Sequence, residues 1–199
     1  MYFDLRRQSP AWETHAVDVI AAILAGGRGT RIGGHKATVQ LAGRPLISYP
    51  IAAARAAGLG VVVVAKRTTV LPPLTTQLLL EPDEPTHPLL GIITALEHHP
   101  AVIAIPCDMP FLPPPTLAAL AEMTADVALL VPDQPFPALY RHAMLPQLQD
   151  ALQAGRSVRS TQAQSSLAPE SAASTDPATQ LTVNTPEDLA RAEQRISRR

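Results

Sequence analysis

Short apolar runs alternate along this chain with longer segments whose apolar positions recur every three to four residues. Val19–Leu24, Gly60–Ala65, Gln77–Leu80, Val102–Pro106, Val127–Val131 and Pro137–Tyr140 have the length and composition of strands. Between them the spacing predicts helices over Pro45–Ala57, Leu90–His98, Pro114–Met123, Met144–Ala154 and Pro186–Ile196. This order predicts an α/β fold, a three-layer sandwich with a mostly parallel central sheet and helices on both faces.

The last helix has a well-marked start. Thr185 offers a capping hydroxyl, Pro186 takes the first helical position, and Glu187 and Asp188 stand at the positive end of the helix dipole. The 21 prolines sit mostly at strand ends and helix starts, where a fixed φ and a missing N–H do little harm. From Ser160 to Gln180 the pattern fades into Ser, Thr, Ala, Gln and Pro, with Leu167 the large apolar exception. That composition predicts a mobile loop near 160–180 inside a single domain over 18–199, preceded by an extension over 1–17.

Composition narrows the function. A 199-residue chain with 46% hydrophobic residues can bury a proper core. Its net charge of −1 argues against bulk electrostatic attachment to nucleic acid, so any anion it binds is small and held locally. The lone cysteine, Cys107, excludes an internal disulfide framework and suits a reducing cytosol. No apolar run reaches the roughly 18 residues a membrane span needs. The expectation is a cytoplasmic protein with no membrane partner.

Local positive charge is concentrated where the first strand ends. Leu24-Ala25-Gly26-Gly27-Arg28-Gly29-Thr30-Arg31-Ile32-Gly33-Gly34-His35-Lys36 is a glycine-rich basic loop. Glycines let the backbone approach a ligand, so successive N–H groups can point at one anion while Arg28, Arg31 and Lys36 add charge. The spacing is neither that of a Walker loop nor Gly-x-Gly-x-x-Gly. It resembles the nucleotidyltransferase signature, Gly-Gly-x-x-x-Arg-x-Gly followed shortly by Lys.

Only four residues separate Arg31 from Lys36. This short form resembles the molybdenum cofactor guanylyltransferases, the MobA-type family, and the likeness continues in order along the chain. Gly43-Arg44-Pro45-Leu46 is similar to the family's Gly-x-Pro-Leu, Pro88-Leu89-Leu90-Gly91-Ile92 to its Pro-Leu-Ala-Gly-Ile, and Cys107-Asp108-Met109-Pro110 to its Cys-Asp-x-Pro. Ala138–Arg141, Arg156–Arg159 and Val183–Leu189 follow in the family's sequence. The resemblance implies a Rossmann-like fold of the nucleotide-diphospho-sugar transferase type. It also implies transfer of GMP from GTP to the terminal phosphate of molybdopterin, with Mg2+ as cofactor and transient contact with molybdopterin-synthesis proteins or apo-molybdoenzymes.

Carried over residue by residue, the resemblance implies catalytic roles for Lys36, Arg31 and Asp108. It places Leu24, Ala25, Gly26, Gly27, Lys36, Asp83 and Asp108 on the nucleotide, Asp108 on the metal, and Asn184 and Tyr140 on the acceptor side. Asp108 follows a strand's carboxyl end, where ligands gather in open α/β sheets; the plain alternative is a turn cap. Lys36 and Arg31 read alternatively as a solvated lysine and a loop ion pair. In the acidic loop Glu81–Pro88, counting back from Pro88 favours Asp83 for the nucleotide contact, with Glu81 as its rival. Tyr140 and Arg141 fit core packing and surface charge equally well, and Asn184 also fits a turn ahead of the last helix.

Three positions depart from the family pattern. His35 stands where aspartate is common before the lysine, Val64 where some members carry asparagine, and Thr182 where an asparagine is usual. Guanine recognition then leans on the backbone of Leu24, Ala25 and Gly26. Gly26-Gly27 favours guanylyl over cytidylyl transfer. The alternatives are another short-loop nucleotidyltransferase, acting on molybdopterin with CTP or on a sugar, polyol or lactate phosphate, and a catalytically weakened cofactor-binding or delivery relative.

Overall fold

A computed structural model describes residues 19–27, 29, 32–130, 134–164, 170–171 and 181–198. Its core is a seven-stranded sheet whose four central and edge strands are parallel. These are β1 (Val19–Leu24), β4 (Gly60–Lys66), β5 (Gln77–Glu81) and β6 (Ala101–Pro106), with β2 (Gln40–Leu41) and β3 (Arg44–Pro45) forming a separate hairpin. The sheet order is β5-β4-β1-β6-β8-β7-β9, where β7 is Val127–Leu129, β8 Ala138–Arg141 and β9 Glu170–Ser171. From β1 the chain runs outward to β4 and β5, then returns to β6 on β1's other side. A crevice therefore opens beyond the carboxyl ends of β1 and β6, the switch point where ligands bind in such sheets.

Residue parity sorts the core into two layers. Ala21, Ile23, Val63, Ala65, Ile103 and Ile105 pack with Ile51 and Ala54 of α1 (Ser48–Ala56) and Leu117 and Leu120 of α3 (Pro114–Ala121). Ala22, Val62, Val64, Leu79, Val102 and Ala104 face the other way, onto α2 (Pro88–Leu96) and α4 (Leu145–Gln153). Strands buried on both sides read as unbroken apolar runs, which is why they stand out in the sequence. A smaller cluster joins Leu41 and Leu46 near the hairpin to Phe111, Val183 and Ala192, docking α6 (Pro186–Ser197).

The three-layer expectation holds, with local corrections. α1 begins at Ser48, because Arg44–Pro45 pairs with Gln40–Leu41 through a turn with Ala42 and Gly43 at φ of 46° and 75°. Two left-handed central residues match the twist of a tight hairpin. α2 begins earlier than expected, at Pro88, since His87 caps it by accepting from the Leu89 N–H at 3.2 Å. β8 runs antiparallel to both β6 and β7.

The expected loop over 160–180 begins instead as helix α5 (Val158–Gln164), and β9 pairs in parallel with β7. Residues 165–169 and 172–180, and the expected extension over 1–17, lie outside the described residues. The start of α6 follows its sequence signals: Thr185 Oγ1 accepts from Asp188 N–H at 3.2 Å, and Asp188 Oδ2 accepts from Thr185 N–H at 3.0 Å, a complete capping box. Among the described residues no helix is long and apolar enough to cross a membrane.

Candidate active site

The glycine-rich loop leaves β1 and turns back on itself. Gly34 N–H donates to Gly29 C=O at 3.0 Å, and Gly33, Gly34 and His35 are successive left-handed residues at φ of 82°, 79° and 45°. Histidine is among the few side chains that tolerate this region, as is the aspartate common in the family. Gly29 is held to glycine twice over, by φ of 56° and because a Cβ there would stand 2.9 Å from Lys36 Cβ. The turn delivers Lys36 into the crevice.

Backbone groups sort along the loop's first residues. Ala25 N–H donates to Val64 C=O at 2.8 Å, and Leu24 C=O accepts from Cys107 N–H at 3.1 Å, so both extend the sheet. Gly26 and Gly27 N–H have no partner among the described residues. Both glycines line the cleft. Arg28 and Arg31 lie outside the described residues.

Three residues far apart in sequence then meet. Lys36 Nζ lies 2.5 Å from Asp108 Oδ2 and 2.6 Å from Asn184 Oδ1. Asp108 follows β6, and its own C=O accepts from Val183 N–H at 2.9 Å, which ties the terminal segment to the crevice. Asn184 is fixed further by Nδ2 donating to Thr182 Oγ1 at 2.9 Å. Asp108 is 6% exposed, and its second oxygen, Oδ1, is buried with no hydrogen-bond partner among the described residues. An unpaired buried carboxylate oxygen is costly unless a cation or donor arrives to meet it.

Lys36 and Asp108 line a cavity of about 320 Å³ together with Leu24, Gly26, Gly27, Lys66, Glu81, His87, Gly91 and Phe136. Burial pushes the Cys107 thiol up to about 12, reinforced by Asp108, so it stays a neutral part of the wall. Burial also lowers the pKa of His87, favouring the neutral ring whose nitrogen caps α2. In the same cavity, burial raises the pKa of Glu81 while Lys66 opposes the shift.

The MobA-like NTP transferase domain matches residues 21–168, most of the chain. The chain belongs to this family. It is 32% identical over 126 residues to the molybdenum cofactor guanylyltransferase of Albidiferax ferrireducens, covering 58% of this chain and 60% of that protein. It is 31% identical over 152 residues to the one from Serratia proteamaculans, covering 69% of this chain and 75% of that protein. The first of these alignments thus spans less than two thirds of its relative. Molybdopterin-guanine dinucleotide biosynthesis protein A from Archaeoglobus fulgidus has the same fold, with a TM-score of 0.75 at 24% identity, covering 90% of this chain and 99% of that one.

Within this MobA-like domain, the expected place of Tyr140 changes. Tyr140 does not reach the cleft. It is 1% exposed in the sheet–α2 layer, its hydroxyl accepting from Gln162 Nε2 at 2.6 Å, and burial raises its pKa. Removing that hydroxyl, Tyr140→Phe, is expected to lower stability by about 1 kcal/mol, read by thermal melting rather than in the KM for an acceptor. Arg141 is structural too, its guanidinium donating to Met123 and Ala125 carbonyls at 2.7 and 3.2 Å.

The two candidate carboxylates of the acidic loop border different cavities that share Gly26, Gly27, Lys36 and Lys66. Glu81 lines the main cavity, whereas Asp83 borders a neighbouring one of about 410 Å³ with Ala25, His35, Thr68 and Thr69. The Lys66–Glu81 pair was missed in the sequence. Its signal was the apolar alternation itself: Lys66 and Glu81 continue the parity of Val64 and Leu79, and they are register partners across β4 and β5.

Proposed function

We propose that this chain transfers GMP from GTP to the terminal phosphate of molybdopterin, giving a guanine dinucleotide and pyrophosphate. The observation that carries this reading is the meeting of Lys36, Asp108 and Asn184 beside the free Gly26 and Gly27 amides. Lys36 has a third donor beyond the two engaged by Asp108 and Asn184, available to a phosphate oxygen. The glycine amides hold phosphate from the backbone side. Asn184 marks the acceptor side of the cluster. Arg31 adds charge to the same loop.

Nucleotidyltransferases of this family are generally metal-dependent. The chain's donor set fits a hard divalent cation such as Mg2+, because Asp108 offers a carboxylate with one buried oxygen unpartnered. No cluster of three or more potential His, Cys, Asp or Glu ligands stands among the described residues, so phosphates and water would complete the shell. When bound, the ion neutralises phosphate charge. The protein's own work is positioning. Glycine amides and Lys36 orient the triphosphate, and the anionic acceptor phosphate needs no general base.

Pyrophosphate release from GTP and CTP in competition, with and without molybdopterin, tests the reading. GTP is expected to be used at least about ten-fold better, equivalent to ~1.4 kcal/mol. A preference for CTP would move the chain to the cytidylyl branch, and release independent of molybdopterin would remove the acceptor. Apo-molybdoenzymes or molybdopterin-synthesis proteins are the transient partners this product implies, and a cytoplasmic location suits them.

A further inference from the structure

Lys66 is a lysine where the β4 pattern calls for an apolar residue. It is 9% exposed, and its ammonium donates to Pro82 C=O at 2.8 Å and Asp83 C=O at 2.6 Å, with Glu81 Oε1 at 3.7 Å. Burying an ammonium is expensive, and here three oxygens of one segment compensate it. The Glu81 carboxylate, also 9% exposed, receives no closer bond from the described residues and faces the nucleotide cavity. Two glycines make room for it: a Cβ at Gly26 would stand 1.9 Å from Oε1, and one at Gly91 2.9 Å from Oε2. Most of this carboxylate's acceptor capacity is unspent.

We propose that Lys66 is a positioning residue for base selection, holding the Glu81 carboxylate as the acceptor of the adjacent N1–H and N2–H2 donors of guanine. The inference deepens the GTP reading and rests on it. Guanine presents two neighbouring donors on one edge, which a carboxylate accepts in parallel; cytosine and adenine each present a donor beside an acceptor. This supplies a side-chain reader in a chain whose Val64 is buried and apolar.

Burial alone would drive Glu81 toward its neutral form, which would put a donor where acceptors are needed. Lys66 counters this from β4. The other titratable groups around Glu81 are Lys36, Asp108 and Cys107 across the cavity, His87 at the start of α2, and Asp83 and Glu84 in its own loop. Without Lys66, Glu81 takes up a proton at higher pH, so guanine affinity falls as the pH is lowered.

The test measures dissociation constants of GTP and ITP by calorimetry from pH 6 to 9 with the full chain. ITP lacks the 2-amino group but carries the same triphosphate, so phosphate titration cancels in the ratio. The parent is expected to favour GTP by at least ~5-fold. Lys66→Met should lose most of that preference at pH 6 and less at pH 9, with the kinetic cost in KM for GTP more than in kcat. If Lys66→Met does not fold, Glu81→Gln decides, and should move the preference from GTP toward xanthosine triphosphate, whose edge pairs with an amide.

A folded Lys66→Met with the parental GTP-to-ITP ratio at every pH overturns the proposal. So does a Glu81→Gln protein that still prefers GTP. Loss of discrimination against 2′-deoxy-GTP instead would assign the carboxylate to the ribose and overturn it as well. A parent that does not prefer GTP over CTP defeats the guanylyl reading itself, which is a separate outcome.

Discussion

Asp108→Asn is expected to lower kcat/KM by about 10²-fold or more and to raise the metal concentration needed for half-maximal rate. The carboxylate stands beyond β6 with Oδ2 on Lys36 and Oδ1 buried and unpartnered. An amide keeps the shape and removes the charge that would anchor a cation between protein and phosphates. Folding should survive, because the structural bond at this position is made by the backbone, from Val183 N–H to Asp108 C=O. The measurements are pyrophosphate release against metal concentration and a melting curve. Early melting with normal turnover in the folded fraction would make Asp108 a structural cap and withdraw the metal assignment.

Lys36→Ala should cost about 2–4 kcal/mol in kcat/KM, the scale of losing a preorganised charge on transferring phosphate. The structure adds a second effect. Lys36 is the cation paired with a buried carboxylate, so its removal leaves Asp108 uncompensated and should cost about 1–3 kcal/mol of stability. Combining Lys36→Ala with Asp108→Asn removes the stranded charge, so the double variant regains stability relative to Lys36→Ala while activity stays low. Pyrophosphate release and melting, read together across the four proteins, separate the two effects. A Lys36→Ala enzyme within two-fold of the parent would end the phosphate role, and a double variant no more stable than Lys36→Ala would end the pairing argument.

Much of the framework was legible locally. β1 was bounded correctly at Val19–Leu24, and the Thr185 capping box was readable because a cap is a matter of four consecutive residues. The glycine-rich loop was legible for the same reason: positive φ and close backbone approach are demands on single residues. Less was legible wherever a residue's role depends on its spatial neighbours. Tyr140 has the same local character in a core as in a pocket, and its burial follows from β8 lying antiparallel between β6 and β7, with Gln162 of α5 over its hydroxyl.

The acidic loop shows the division most clearly. Sequence counting from Pro88 could offer both Asp83 and Glu81, because a loop's length does not say which carboxylate turns inward. The pairing of β5 with β4 is what places Glu81 in the main cavity. Side chains alternate across a sheet, so Glu81 and Lys66, as register partners in phase with Leu79 and Val64, share one face, and that face opens onto the cavity beside Gly91.

The sequence by itself determined the α/β architecture, the glycine-rich loop after β1 and the residue types it offers, since periodicity and turn chemistry are local. Only the tertiary structure decided which of those residues meet. Lys36, Asp108 and Asn184 come from the start, middle and end of the chain; the adjacent parallel strands β1 and β6, and the Val183 N–H bond to Asp108 C=O, bring Lys36 within 2.6 Å of both partners.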